Sequence, residues 1–168
     1  MHNAAVGNKP YPPPGVMDCE PEVKIASATE FYMVSPKKSN NAIYGIVTNG
    51  VLDFAVYNEP ITHPQTGCPG RWMFEQMWTH FQTMSTTITE IGGNWSSTST
   101  NLIKANQETT GGAKTLEDAA KRTNTGLYAD AVGYKKVQVL YPDPANPNGI
   151  GTKGTPGNYT SVNVRFTM

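Results

Sequence analysis

Asn49-Gly50 lies between two β-forming runs, Ala42 to Thr48 and Val51 to Tyr57. A two-residue connection between strands favours a type I′ turn, which needs positive φ at both central positions, and Asn-Gly meets that need at the least steric cost. The spacing predicts a β-hairpin over 42–57, and so a sheet that the rest of the chain must cover. A cover follows in sequence. Trp72, Met73, Phe74, Met77, Trp78, Phe81 and Met84 recur at helical spacing, with Glu75, Gln76, Thr79 and Gln82 between them, which predicts an amphipathic helix over 72–84. His80 falls at its polar edge and is expected at the surface.

The remaining elements follow from local signals. Residues 1–22, with Lys9-Pro10-Tyr11-Pro12-Pro13-Pro14-Gly15, read as a Pro-rich arm or linker. Val23 to Val34 reads as one strand, and Glu59 to Gly70, with its prolines and glycines, as a loop. A short strand is expected over 86–95, meeting Gly92-Gly93, and a short helix over 101–106. Thr115-Leu116-Glu117-Asp118 resembles a capping box opening a helix at Leu116, Gly126 interrupts it, and Gly133 is placed as a C-terminal stop. Strands are expected at 136–141 and, from the alternation of apolar and polar residues, at 161–166, antiparallel to one another, across a long Pro- and Gly-rich loop at 142–158. The fold class is therefore α+β: an antiparallel-rich mixed sheet of about five to six strands with two or three covering helices, forming one domain over 23–168.

Composition narrows the function classes. Of 168 residues 38% are hydrophobic and only 15% charged, and 13 basic residues balance 13 acidic ones. That argues against a coiled coil or a highly charged disordered chain, and no overall charge draws the protein to nucleic acid. The start lacks a basic region followed by an apolar stretch, and no apolar run is long enough to span a membrane, so the isolated chain is expected in the cytoplasm. Cys19 and Cys68 lack metal-ligand spacing and are expected to be free thiols rather than a bridge. No metal is expected, and no Gly-x-Ser-x-Gly setting suggests a hydrolase.

From Val51 onward the order of elements resembles the core of the GNAT-superfamily acyltransferases. In that family a strand leads through a Gly-containing pyrophosphate loop into a helix, then come a strand, a helix ending in a Gly-aromatic pair, and a closing hairpin. Leu52 to Tyr57 match the strand, Gly67-Cys68-Pro69-Gly70-Arg71 the loop, Trp72 to Met84 the helix, and Leu127 to Val137, with Gly133-Tyr134, the last helix and the strand after it. The resemblance implies an acyl-CoA cofactor such as acetyl-CoA, its diphosphate held by Gly67, Gly70, Arg71 and Trp72, because backbone N–H groups at a helix start form an anion site. Arg71 has a rival role as the i,i+4 partner of Glu75.

Glu59, His63 and Glu90 are the candidate catalytic groups. The carboxylates are suited to taking a proton from a substrate amine and His63 to serving as a base, each against the plainer reading of a solvated side chain. Asn94, Trp95 and Tyr128 are candidate substrate contacts, with Trp95 alternatively a turn residue packed on the helix. Three features depart from the family pattern. In the loop Gln65 lies only two positions before Gly67, Gly67 and Gly70 are separated by two residues, and Pro69 removes an N–H. Ala129 stands where many members carry a tyrosine that serves as general acid, with Tyr128 one place off. The helices usual between the first two family strands are missing. These departures keep open a catalytically inactive binding module on the same fold. The Pro-rich leader before a small α+β domain is similar in style to the C-terminal domains of bacterial polymorphic toxins. That likeness implies secretion within a larger protein, and a protein target or immunity partner.

Overall fold

The computed structural model describes residues 19–35, 41–57 and 67–168. These residues build an α+β protein with seven strands and four helices, arranged as two compact units, 1–88 and 89–168.

In the first unit β1 (Glu22–Ala26), β2 (Glu30–Val34), β3 (Ala42–Thr48) and β4 (Val51–Tyr57) form a run of antiparallel neighbours. Asn49 and Gly50 have φ of 51° and 78°, as the hairpin between β3 and β4 requires. The expected single strand over 23–34 is instead a hairpin of β1 and β2, which raises the strand number above the five to six expected. Its turn is made by a side chain. The Ser27 hydroxyl oxygen accepts from the N–H of Thr29 and of Glu30, while the Ser27 N–H donates to the Glu30 carbonyl.

Register places Phe31, Gly45 and Phe54 side by side, so Phe31, Met33, Ile43, Val47 and Leu52 share one face and are buried. Helix α1 (Gly70–Thr83) lays Met73, Phe74, Met77 and Phe81 into this core. Gly45 is what lets the helix approach, because a Cβ there would collide with the Met77 Sδ. His80 is buried, not at the surface as expected: its Nε2 lies 2.7 Å from the Ser27 carbonyl and its ring packs near Phe31 and Phe81. Trp78 is only half-buried, stacked on Phe74. The two cysteines are joined as a Cys19–Cys68 disulfide with Cα atoms 4.6 Å apart, which corrects the expectation of free thiols.

In the second unit β5 (Glu90–Ser96) and β6 (Lys136–Val139) flank β7 (Ser161–Thr167), both antiparallel to it. β5 starts later than expected because Ser85, at φ 55°, and Thr86, whose N–H bonds to the Phe81 carbonyl, end α1. Ile91, Trp95, Val162, Val164, Phe166 and Val139 form one buried face, against which α2 (Thr100–Gly111) and α3 (Leu116–Lys121) pack, with α4 (Asn124–Ala131) against α3. Gly93 makes room there, since a Cβ would lie 2.8 Å from the Trp95 ring and 2.9 Å from Val164. Thr115 and Thr123 cap α3 and α4 by accepting from Asp118 and Gly126 N–H groups at 3.1 Å. Gly133, at φ 97°, closes α4.

The long loop at 142–158 is fastened to α2. The Asn106 side chain accepts from the Tyr159 N–H at 2.7 Å and donates to its carbonyl at 3.0 Å, and the Thr109 hydroxyl accepts from the Gly157 N–H. Among the described residues no helix is long and apolar enough to cross a membrane.

Candidate functional site

The loop expected to hold a diphosphate runs into α1. Gly67 adopts φ +75°, which favours glycine, and a Cβ there would meet the Asn41 Oδ1 at 3.1 Å. Asn41, 2% exposed, accepts from the Cys68 N–H at 2.6 Å and donates through Nδ2 to the Cys68 carbonyl at 2.9 Å and the Tyr57 carbonyl at 3.4 Å. The residue before Pro69 is thus pinned through both backbone groups and, by its sulfur, to Cys19. Asn41 escaped sequence reasoning because its partner is 27 residues away and nothing local distinguishes it from a loop asparagine.

Pro69 is the N-cap of α1, with no side-chain cap bond and no acidic residue in the first turn. The first intrahelical donor is Met73, bonded to the Pro69 carbonyl, so the N–H groups of Gly70, Arg71 and Trp72 are the ones that helix geometry leaves without intrahelical acceptors. Arg71 pairs with Glu75 at 3.2 Å in the i,i+4 arrangement foreseen as its rival role. Both side chains are mostly exposed, where such a pair contributes little. Gly70 is buried and Trp72 half-buried. Glu59 and His63 lie outside the described residues.

In the second unit the antiparallel register sorts the remaining candidates. Asn94 stands opposite Asn163, and Gly92 opposite Arg165. Because paired residues share a face, Glu90 and Asn94 lie on the polar face of this sheet together with Asn163, Arg165 and Gln138. Trp95 lies on the other face, buried in the apolar core, and Tyr128 sits half-buried on α4. Glu90 Oε2 is 3.6 Å from Arg165 Nε, close enough for attraction but too long for a hydrogen bond. Arg165 and Asn163 were missed by sequence reasoning. The alternation of Ser161 to Phe166 marked a polar face, but only the pairing with β5 shows which residues join it.

The hydrogen bond from the Tyr44 hydroxyl to Glu30, 2.8 Å long, holds that phenol above its ordinary value. Burial raises Tyr134, and burial, with Tyr141 and Glu117 nearby, raises Tyr159. Hydrogen bonds from Lys104 and then Arg122 hold Glu108 below the usual carboxylate range. Among the described residues no three His, Cys, Asp or Glu side chains cluster as metal ligands would. No protein-family model, no curated protein and no solved structure matches the chain.

Proposed function

We propose that the chain is a small-molecule-dependent transferase of the acyl-CoA-dependent type, acting as a bacterial effector or toxin domain. The observation that carries this reading is the start of α1. A helix opens there on Gly70 with no side-chain cap and no acidic residue in its first turn, so its positive end and three N–H groups without intrahelical acceptors are suited to a diphosphate. The loop leading into it is already ordered by Asn41 and the disulfide, which lowers the entropy cost of binding there. The order of elements, β4 before α1, then β5, helices ending before Gly133-Tyr134, and β6 paired with β7, is compatible with the acyltransferase resemblance. A disulfide is typical of chains that mature outside the reducing cytosol, which fits export within a larger toxin.

A second reading, a binding module without chemistry, is favoured by the loop's own donors. The Cys68 N–H is taken by Asn41 and Pro69 has none, so two N–H groups that a diphosphate could have used are absent. Ala129 is fully buried where a catalytic tyrosine would stand.

Calorimetric titration with coenzyme A and acetyl-CoA, beside an assay of thiol release from acetyl-CoA with a panel of amines, separates the readings. Binding with transfer supports the transferase, binding without transfer supports the module, and no binding of either compound overturns the acyl-CoA assignment. Arg71→Glu should weaken binding while costing the fold under about 1 kcal/mol, as exposed charge changes at a helix start do.

A further inference from the structure

Arg165 and Asn163, neighbours on the polar face of the β5–β7–β6 sheet, hold more donors than the protein satisfies. Arg165 Nη1 donates to Asn163 Oδ1 and to the Val164 carbonyl, each at 3.1 Å. A guanidinium has five N–H donors. With Glu90 at 3.6 Å from Nε, the donors on Nε and Nη2 have no hydrogen-bond acceptor among the described residues. Asn163 is 6% exposed, and the bond from Arg165 fixes its orientation, because only the amide oxygen can accept. Its Nδ2 then has two N–H donors and no partner among the described residues. No fully buried side-chain nitrogen or oxygen there lacks a partner, so Nδ2 remains within reach of solvent. An unpaired amide on so buried a residue is uncommon and calls for an acceptor.

We infer that this face binds a small molecule through an oxyanion, a carboxylate or a phosphate, held by Arg165 and Asn163, with Glu90 as the internal counter-ion that the ligand displaces. The mutual hydrogen bond fixes the guanidinium beside the amide, so two oxygens of one oxyanion can accept from adjacent donors in a fixed geometry, which an ammonium group could not offer. Gly92, directly opposite Arg165, adds no side chain over the guanidinium. Lys136 and Gln138 extend the face on β6, so its formal charge is two positive groups against Glu90 alone. The Arg165 and Glu90 side chains are 22% and 39% exposed, so the pair is open to exchange with a ligand. This site is independent of the start of α1 and does not depend on the transferase reading.

The test is an NMR titration of the full chain with sodium phosphate and, separately, sodium succinate, at ionic strength held constant with chloride. The readouts are the Asn163 side-chain amide and Arg165 Nε–H resonances. Saturable shifts of both are expected with at least one probe, and the probe that saturates identifies the oxyanion as phosphate or carboxylate. Arg165→Gln and Asn163→Asp should each weaken binding by about tenfold or more, the scale of a lost charge-assisted hydrogen bond. Asn163→Asp keeps an acceptor for Arg165, and an unchanged backbone spectrum in either variant excludes unfolding as the cause. Glu90→Gln should bind the probe several-fold more tightly, because a competing anion is gone; a purely structural ion pair would not behave so. Linear shifts with both probes, an Asn163→Asp protein that binds as well as the parent, or a Glu90→Gln protein with unchanged affinity would overturn the assignment.

Discussion

Asn41→Ala isolates the part of the structure that orders the start of α1. The substitution removes three hydrogen bonds, to the N–H and carbonyl of Cys68 and to the Tyr57 carbonyl. The last, at 3.4 Å, is at the edge of bonding distance and is counted as nothing. The other two leave backbone groups of a residue only 1% exposed without partners, and each stranded group costs about 1–3 kcal/mol. Water entering the space left by the amide recovers part of that cost, so the loss should be about 2–5 kcal/mol. For a chain of 168 residues that corresponds to a fall in Tm of roughly 4–20 °C, at about 2–4 °C per kcal/mol. The assay is chemical and thermal unfolding with the disulfide intact, joined to hydrogen exchange at the Cys68 amide. Asn41→Asp gives an internal control. It keeps the acceptor for the Cys68 N–H and loses the donor to the carbonyl, so exchange at Cys68 should stay slow while stability still falls. A loss below about 0.5 kcal/mol for Asn41→Ala, the range of ordinary surface changes, would refute the reasoning.

Three further expectations rest on other parts of the fold. Replacing both Cys19 and Cys68 by Ser should cost up to about 4 kcal/mol, the chain-entropy value for a loop closed across 49 positions, read from denaturant midpoints; an unchanged midpoint under oxidising conditions would show that the bridge contributes nothing. Gly50→Val should cost about 2 kcal/mol or more in the same assay, because a β-branched residue resists the φ of 78° that the hairpin imposes, whereas Gly50→Asn should cost less. Glu108, whose carboxyl is held down by Lys104 and Arg122, contributes stability that is complete above the ordinary carboxylate pKa and is lost as pH falls through its lowered folded value. Glu108→Gln should therefore remove part of the acid sensitivity of unfolding, and parent and variant curves of identical shape would contradict this linkage.

Elements carried by local chemistry were legible in the chain. The Asn49-Gly50 hairpin, the apolar stripe of α1, the Thr115 cap and the Gly133 stop each depend on residues within a few positions of one another, and each formed. The misread features depend on distant partners or on side chains doing the work of turn residues. The turn between β1 and β2 contains neither Gly nor Pro and is held by the Ser27 hydroxyl, so the two strands read as one. His80 is buried although polar because the Ser27 carbonyl, 53 residues earlier, gives it a partner. The disulfide joins residues that only the folded sheet brings within reach. Helix α2 outruns its expected end at 106 because contacts compensate for weak helix formers. Thr109 and Thr110 hydroxyls bond to the Asn106 carbonyl, and Glu108 pairs with Lys104 and Arg122.

The polar face of the second unit shows where the boundary of legibility falls. The alternation from Ser161 to Phe166 was enough to identify a strand and to divide its residues between two faces. Glu90 could likewise be placed on a strand, whereas Asn94 read as part of a turn after Gly92-Gly93. What alternation cannot supply is register. A slip of one residue along β7 would set Asn94 beside Val162 or Val164 instead of Asn163, and would turn Arg165 toward the apolar core. The observed register is fixed by burial, since only it places Val162, Val164 and Phe166 beside Trp95, Gly93 and Ile91 under the helices. The apolar side of the sheet therefore determines which polar groups meet on the other side. The juxtaposition of Glu90, Asn163 and Arg165 is a consequence of core packing, and a substitution such as Gly93→Val, which pushes Trp95 and Val164 apart, should disturb that polar face without touching any residue on it.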